Sequence, residues 1–165
     1  MDGVHIKIQE TSPFNKTWNS HKLGGAVVAY ELATCIQTGD IVSFNGPFPA
    51  GGCPDIKNFR NKIKKKLLSW EKVLADQGYR GERKVITVRD AKDEQNSYAM
   101  ACARARHETI NRRIKTWKAL KKEFRHDRND HHYFFRSAIV MEQIKIENGN
   151  PPFKITNYID LIRIK

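Results

Sequence analysis

Residues 71–88, EKVLADQGYRGERKVITV, and residues 97–117, SYAMACARARHETINRRIKTW, together decide the fold class. Residues 71–75 are a short, largely apolar run ending at Asp76, and they read as a buried strand. Gly78-Tyr79-Arg80-Gly81 then turns the chain, and residues 85–88 read as a second short apolar strand. Beyond them Ile110, Ile114, Trp117, Leu120 and Phe124 recur at helical spacing, which predicts one long helix over about residues 98–124. Strands that alternate once with helix and then give way to helix specify an α/β domain.

The flanking sequence agrees. Residues 4–8, VHIKI, alternate apolar and polar side chains as a half-buried strand does. Residues 26–37 are rich in β-branched and aromatic types, and Thr38-Gly39-Asp40 turns them into residues 41–44, which predicts a β-hairpin. Residues 45–54 hold three Pro and three Gly and read as a loop. Ile56, Phe59, Ile63 and Leu67 then mark a basic amphipathic helix, with Asp55 placed to cap its first turn. A last helix is expected over residues 132–146, stopped by Asn148-Gly149-Asn150-Pro151-Pro152. This divides the chain into a domain over residues 1–150 and a tail over 151–165, read as either a further strand or a loose end.

Lys and Arg number 30 against 18 acids, a formal charge of +12. Such a surplus favours a polyanionic partner, nucleic acid or an anionic membrane. No apolar run approaches a membrane span, so nucleic acid leads and no membrane association is expected. The helix after Asp55 offers Lys57, Arg60, Lys64 and Lys65, and the later long helix offers Arg104, Arg112, Arg113 and Lys115. Cationic side chains of this kind neutralise phosphates and release counterions without choosing a sequence; a solvated helix face is the competing reading. Cys35, Cys53 and Cys102 form no C-x-x-C pair, which suits reduced thiols and gives no zinc site.

Three carboxylates stand at informative places: Asp2 beside the first strand, Asp76 at the end of a later one, and Glu108 on the helix that follows. In open α/β sheets chemistry gathers at strand ends. Mg²⁺ takes oxygen ligands, and two such ions can hold the attacking and leaving oxygens of a phosphodiester. Spacing alone leaves other readings open. Asp2 could be a terminal residue, Asp76 a turn cap, and Glu108 an i±4 partner of Arg104 and Arg112.

The words around these acids add to the reading. "DGVHIKI" at Asp2, "NGPFPAGGCPDIKNFRN", "LADQGYRG" around Asp76 and "ARARHETINRRIKTWKALKKEF" around Glu108 occur in that order. Together they resemble the Harbinger-like DDE superfamily of transposases and its bacterial insertion-sequence relatives. The resemblance implies an RNase H-like fold, a mixed sheet with helices on both faces. It also implies metal-dependent cleavage of DNA phosphodiesters with Mg²⁺ or Mn²⁺ on Asp2, Asp76 and Glu108. Asp55 matches a further recurrent acid, a fourth metal ligand unless it only caps its helix. DNA, self-association and a separate DNA-binding partner protein are the implied partners, in the nucleus of a eukaryote or otherwise the cytoplasm. Relatives carry strand residues before the first Asp and an upstream DNA-reading domain. The first strand is therefore expected to be truncated at Met1. A catalytically inactive, domesticated DNA-binding descendant is the alternative expectation, and a basic RNA-binding protein the third.

Overall fold

The computed structural model describes residues 1–155; the rest of the 151–165 tail lies outside the described residues. Three antiparallel strands, β1 (Asp2–Lys7), β2 (Val27–Thr34) and β3 (Ile41–Pro49), pair in the order β1-β2-β3. Asp2 lies opposite Leu32 and Lys7 opposite Val27. The predicted hairpin is present, but β3 runs five residues further than expected, into the Gly- and Pro-rich segment. Two register shifts along the β2–β3 pair accommodate that irregular sequence. The two short strands β4 (Val73–Leu74) and β5 (Val85–Ile86) pair in parallel. The Met1 amino group donates a 2.8 Å hydrogen bond to the Leu74 carbonyl. This one bond sets β4, and the separate two-stranded β4-β5 sheet, beside the start of β1.

Strand alternation sends successive side chains to opposite faces. On one face Val4, Ile6, Val28, Tyr30 and Leu32 pack against Ile110 and Ile114 of α3 (Glu94–Ile114) and Phe135 and Ile139 of α5 (His131–Glu147). The first half of α3 continues along the same side, where Ala99, Met100 and Ala103 bury against Leu74. On the opposite face Ala33 packs with Phe59 and Ile63 of the short helices α1 (Asp55–Asn61) and α2 (Ile63–Lys66), and with Ala75 and Tyr79. The result is a mixed α/β domain with helices on both sides of its strands. No helix among the described residues is long and apolar enough to cross a membrane.

The single helix expected over residues 98–124 is corrected. It begins earlier, where the Asp93 side chain accepts the Asn96 amide at 2.7 Å, and it ends at Ile114. The Thr116 hydroxyl donates to the Arg113 carbonyl at 2.6 Å, competing with continued helix. Trp117 is extended and leads only into α4 (Lys118–Lys121). Phe124 then bonds β1 directly: its amide donates to the Lys7 carbonyl and its carbonyl accepts from Gln9. Ile110, Ile114, Leu120 and Phe124 are all buried, with Trp117 packed beside them, so the apolar pattern marked the core correctly. The helical period simply did not persist through it.

Gly46 shows how closely this core is filled. Its φ is +134°, and a Cβ there would lie 2.6 Å from Tyr30 Cδ1 and 2.9 Å from the Ala29 carbonyl oxygen. The Tyr30 ring cannot retreat, because Phe135 stacks on it with centroids 3.7 Å apart and its hydroxyl shares a 2.8 Å hydrogen bond with buried His131. Gly46→Ala combines backbone strain with overpacking and is expected to cost about 2 kcal/mol or more, read from the urea unfolding midpoint.

Glu31 is buried in the middle of β2, on the α1 side, and its carboxyl is pushed up to about 7. Burial is the main cause; the nearby Asn45 side chain opposes it and the Asp55 charge adds to it. The folded state therefore favours the neutral acid. Its contribution is complete below the unfolded value of 4.5 and is lost as pH rises through about 7. Glu31→Gln should leave stability nearly unchanged at pH 4 and raise it by about 3 kcal/mol at pH 8, measured by urea unfolding at both pH values.

Candidate active site

β1 starts where β4 ends, and that junction gathers the acids. Asp2 shares its face of β1 with Val4 and Ile6, toward α3. One of its oxygens accepts the Gly3 amide at 2.8 Å and the other accepts Asn111 Nδ2 at 3.3 Å. Asp76 follows β4 by two residues and caps a turn of 3-10 helix over Gln77–Tyr79 by accepting the Gln77 amide. The turn-cap reading of Asp76 is thus real, but it occupies only one direction of the carboxylate. Asp76 Oδ1 also lies 3.8 Å from Arg104 Nη2.

Helix α3 covers this junction. Arg104, Glu108 and Asn111 are spaced by four and three residues, so they project from one side of the helix. Arg104 Nη2 lies 3.9 Å from Glu108 Oε1 as well as near Asp76. One guanidinium nitrogen thus touches both acids, and their separation cannot exceed the sum of those two contacts. The Asp76 side chain is 48% exposed and that of Glu108 64%, so both remain open to solvent. Asp2, Asp76 and Glu108, far apart in sequence, are brought to one end of the sheet under one helix face.

Asp55 approaches from the other side of β1. The expectation that it caps α1 is corrected: Pro54 occupies the cap position, and no side chain caps that helix. The Asp55 carboxylate instead lies against the Gly3 backbone, 3.6 Å from where a Cβ at that residue would stand. Burial pushes its carboxyl up; His5 opposes the shift, and the charges of Asp2 and Asp76 add to it. In return His5 is held below its usual range by burial, with Asp55 acting in the opposite sense. Asp2, Asp55 and Asp76 therefore feel one another across β1, although two faces of the sheet supply them.

The donor set has the chemistry of a site for a hard divalent ion. It is made of oxygens, partly open to water, which suits Mg²⁺ or Mn²⁺ better than zinc. Among the described residues no three His, Cys, Asp or Glu side chains are close enough to share one ion. The positive charge between Asp76 and Glu108 is that of Arg104. A cavity of about 550 Å³ opens at the other end of β1, lined by Ile8 to Lys16, Phe124, His126 and Arg128, away from these acids.

The basic residues divide into two groups. Arg60 and Lys64 are held by Glu82, at 2.9 and 2.8 Å, and the pair brings the Glu82 carboxyl down to about 2. Arg113 donates to the Asn150 carbonyl at 2.7 Å and the Pro151 carbonyl at 3.3 Å, clamping the chain beyond α5 to α3. Lys115 is half-buried; burial lowers its pKa and Asp2 opposes that shift. Lys57, Lys65 and Arg112 are exposed, with no ion-pair partner among the described residues.

Several polar residues at or near the site have no role assigned from sequence, although helical spacing places Asn111 on the Glu108 side of its helix. Asn111 holds Asp2, His5 faces Asp55, and Tyr79 donates to Glu31 at 3.4 Å. Arg106 and His107, beside Glu108, are buried. Arg106 bonds the Cys35 and Ile36 carbonyls, and His107 Nδ1 shares a 3.0 Å hydrogen bond with the Thr34 hydroxyl. Helical phase was the available signal for Asn111, since it lies three residues from Glu108. Nothing local marked Glu31 or His5.

A family model described as DDE superfamily endonuclease matches residues 1–143, most of the chain. No curated protein and no solved structure matches it. The match spans the strand junction, Asp55 and the whole of α3, and on that extent the chain belongs to the DDE superfamily of endonucleases.

Proposed function

We propose that this chain cleaves DNA phosphodiesters with a divalent metal, Mg²⁺ or Mn²⁺, using Asp2, Asp76 and Glu108 as its ligands and Asp55 as a fourth acid. The observation that carries this reading is the face of α3 bearing Arg104, Glu108 and Asn111, seated over the strand ends that present Asp2 and Asp76. The β1-β2-β3 sheet with the β4-β5 pair beside it and helices on both faces supports an RNase H-like arrangement, and the sequence words around the acids support the Harbinger-like type.

When bound, the metal supplies a charge that holds a nucleophilic water and steadies the leaving oxygen. The chain contributes the rest. Asn111 fixes the orientation of Asp2, and Gln77 fixes that of Asp76. Their partial exposure leaves a backbone phosphate room to approach. Exposed Lys57, Lys65 and Arg112 offset the repulsion between DNA and the acids. The same reading carries an assembly of copies or a separate DNA-reading protein to choose the target, and a nuclear location in a eukaryotic host.

Supercoiled plasmid incubated with Mg²⁺ or Mn²⁺ is expected to be nicked. Asp76→Asn and Glu108→Gln should each slow nicking by at least about a hundredfold, the scale of losing one preorganised electrostatic group. Nicking at the parental rate by both variants would refute the assignment.

A second reading is a DNA-binding protein without cleavage, and the Arg104 guanidinium lodged between two of the acids favours it. It predicts salt-sensitive duplex binding and no nicking with any divalent ion. In either case Lys57→Gln and Lys65→Gln should each reduce the slope of log affinity against log salt by about 0.9, read by fluorescence anisotropy. Arg113→Gln should leave that slope unchanged, because its guanidinium serves the Asn150 and Pro151 carbonyls.

A further inference from the structure

We infer that Arg104 is an internal counter-cation, standing between Asp76 and Glu108 in the metal-free chain and moving out when a divalent ion binds. The inference rests on the proposed metal site and adds to it a residue that competes for that site. Arg104 Nη2 contacts Asp76 at 3.8 Å and Glu108 at 3.9 Å. Neither distance is a tight hydrogen bond, and no side-chain hydrogen bond fixes the guanidinium elsewhere among the described residues. Without it, neither exposed carboxylate would have an ion-pair partner among the described residues. The side chain is 32% exposed, so it can swing toward solvent without leaving a buried cavity.

Two of the other cations of α3 are already committed elsewhere. Arg106, two residues on, is buried with its guanidinium bonded to the Cys35 and Ile36 carbonyls, so it cannot move. Arg113 is committed to the Asn150 and Pro151 carbonyls. Of these three arginines only Arg104 touches the acids, and only weakly. A divalent ion brings twice its charge to the same oxygens and can displace it. Each ion that binds must first break both contacts, so Arg104 weakens metal affinity while holding the empty acids near one another.

The test is Mn²⁺ binding, followed by electron paramagnetic resonance of the free ion, with the full chain and without DNA. Arg104→Gln is expected to bind Mn²⁺ about tenfold more tightly than the parent, which corresponds to about 1.4 kcal/mol for two partly exposed contacts. Arg112→Gln removes the same charge from the same helix but no contact with the acids, and it should change affinity less than about twofold. Arg104→Lys keeps the charge without the planar fork and should fall between parent and Arg104→Gln. Thermal unfolding followed by circular dichroism confirms that each variant is folded. Should Arg104→Gln and Arg112→Gln shift affinity equally, the effect is charge at a distance and the inference fails while the metal site stands. Should parent and Arg104→Gln both show no saturable Mn²⁺ binding, the metal site itself fails, and the role of Arg104 fails with it.

Discussion

The seating of α3 across both parts of the sheet is the constraint on which the rest depends. Its second half drives Ile110 and Ile114 into the β1–β2 core, and its first half drives Met100 and Ala103 onto Leu74 of β4. Burying apolar surface in two places fixes the axis and the rotation of the helix at once. The direction of the adjoining polar side then follows, and the Asn111 and Arg104 contacts only add to it. Arg104, Glu108 and Asn111 come to rest over Asp2 and Asp76 because the neighbouring apolar face is anchored.

Much of this was legible in the sequence. Apolar alternation in β1 and the hairpin turn at Thr38-Gly39-Asp40 placed the antiparallel strands. The run ending at Asp76 placed β4, and the stripe from Ile110 to Phe124 named core residues correctly. What could not be read was where period gives way to context. Nothing in residues 114–124 contains Pro or Gly, yet the helix stops, because Thr116 back-bonds and Phe124 finds a strand edge to pair with. Asp55 failed in the same way. A good cap residue in the right place was drawn toward β1 instead, since tertiary contacts outweigh a local capping preference of about 1 kcal/mol.

Charge was legible as a total but not in its distribution. The surplus of +12 pointed to nucleic acid, whereas the use of each cation depends on neighbours remote in sequence. Glu82 takes Arg60 and Lys64 from across a turn, and two backbone carbonyls beyond α5 take Arg113. Lysines and arginines that look equivalent in a helical run thus divide into those that hold the fold and those left to meet a ligand. The same holds for the acids: Glu31 and Asp55 lie on one face of the sheet and Asp2 on the other, a distinction that only strand register supplies.

The shortness of the β4–β5 ladder bears on how the site tolerates change. Only two residues of each strand pair, so Asp76 is held in position less by sheet hydrogen bonds than by Leu74 packing beneath α3. Mutational sensitivity should therefore spread away from the carboxylates and into plain hydrophobic positions. A lost methylene at Met100 or Leu74 would let the strand end drift from the helix, and the spacing of negative charge would change with no charged residue altered. In such a chain the history of activity, kept or lost, is written as much in its aliphatic side chains as in its acids.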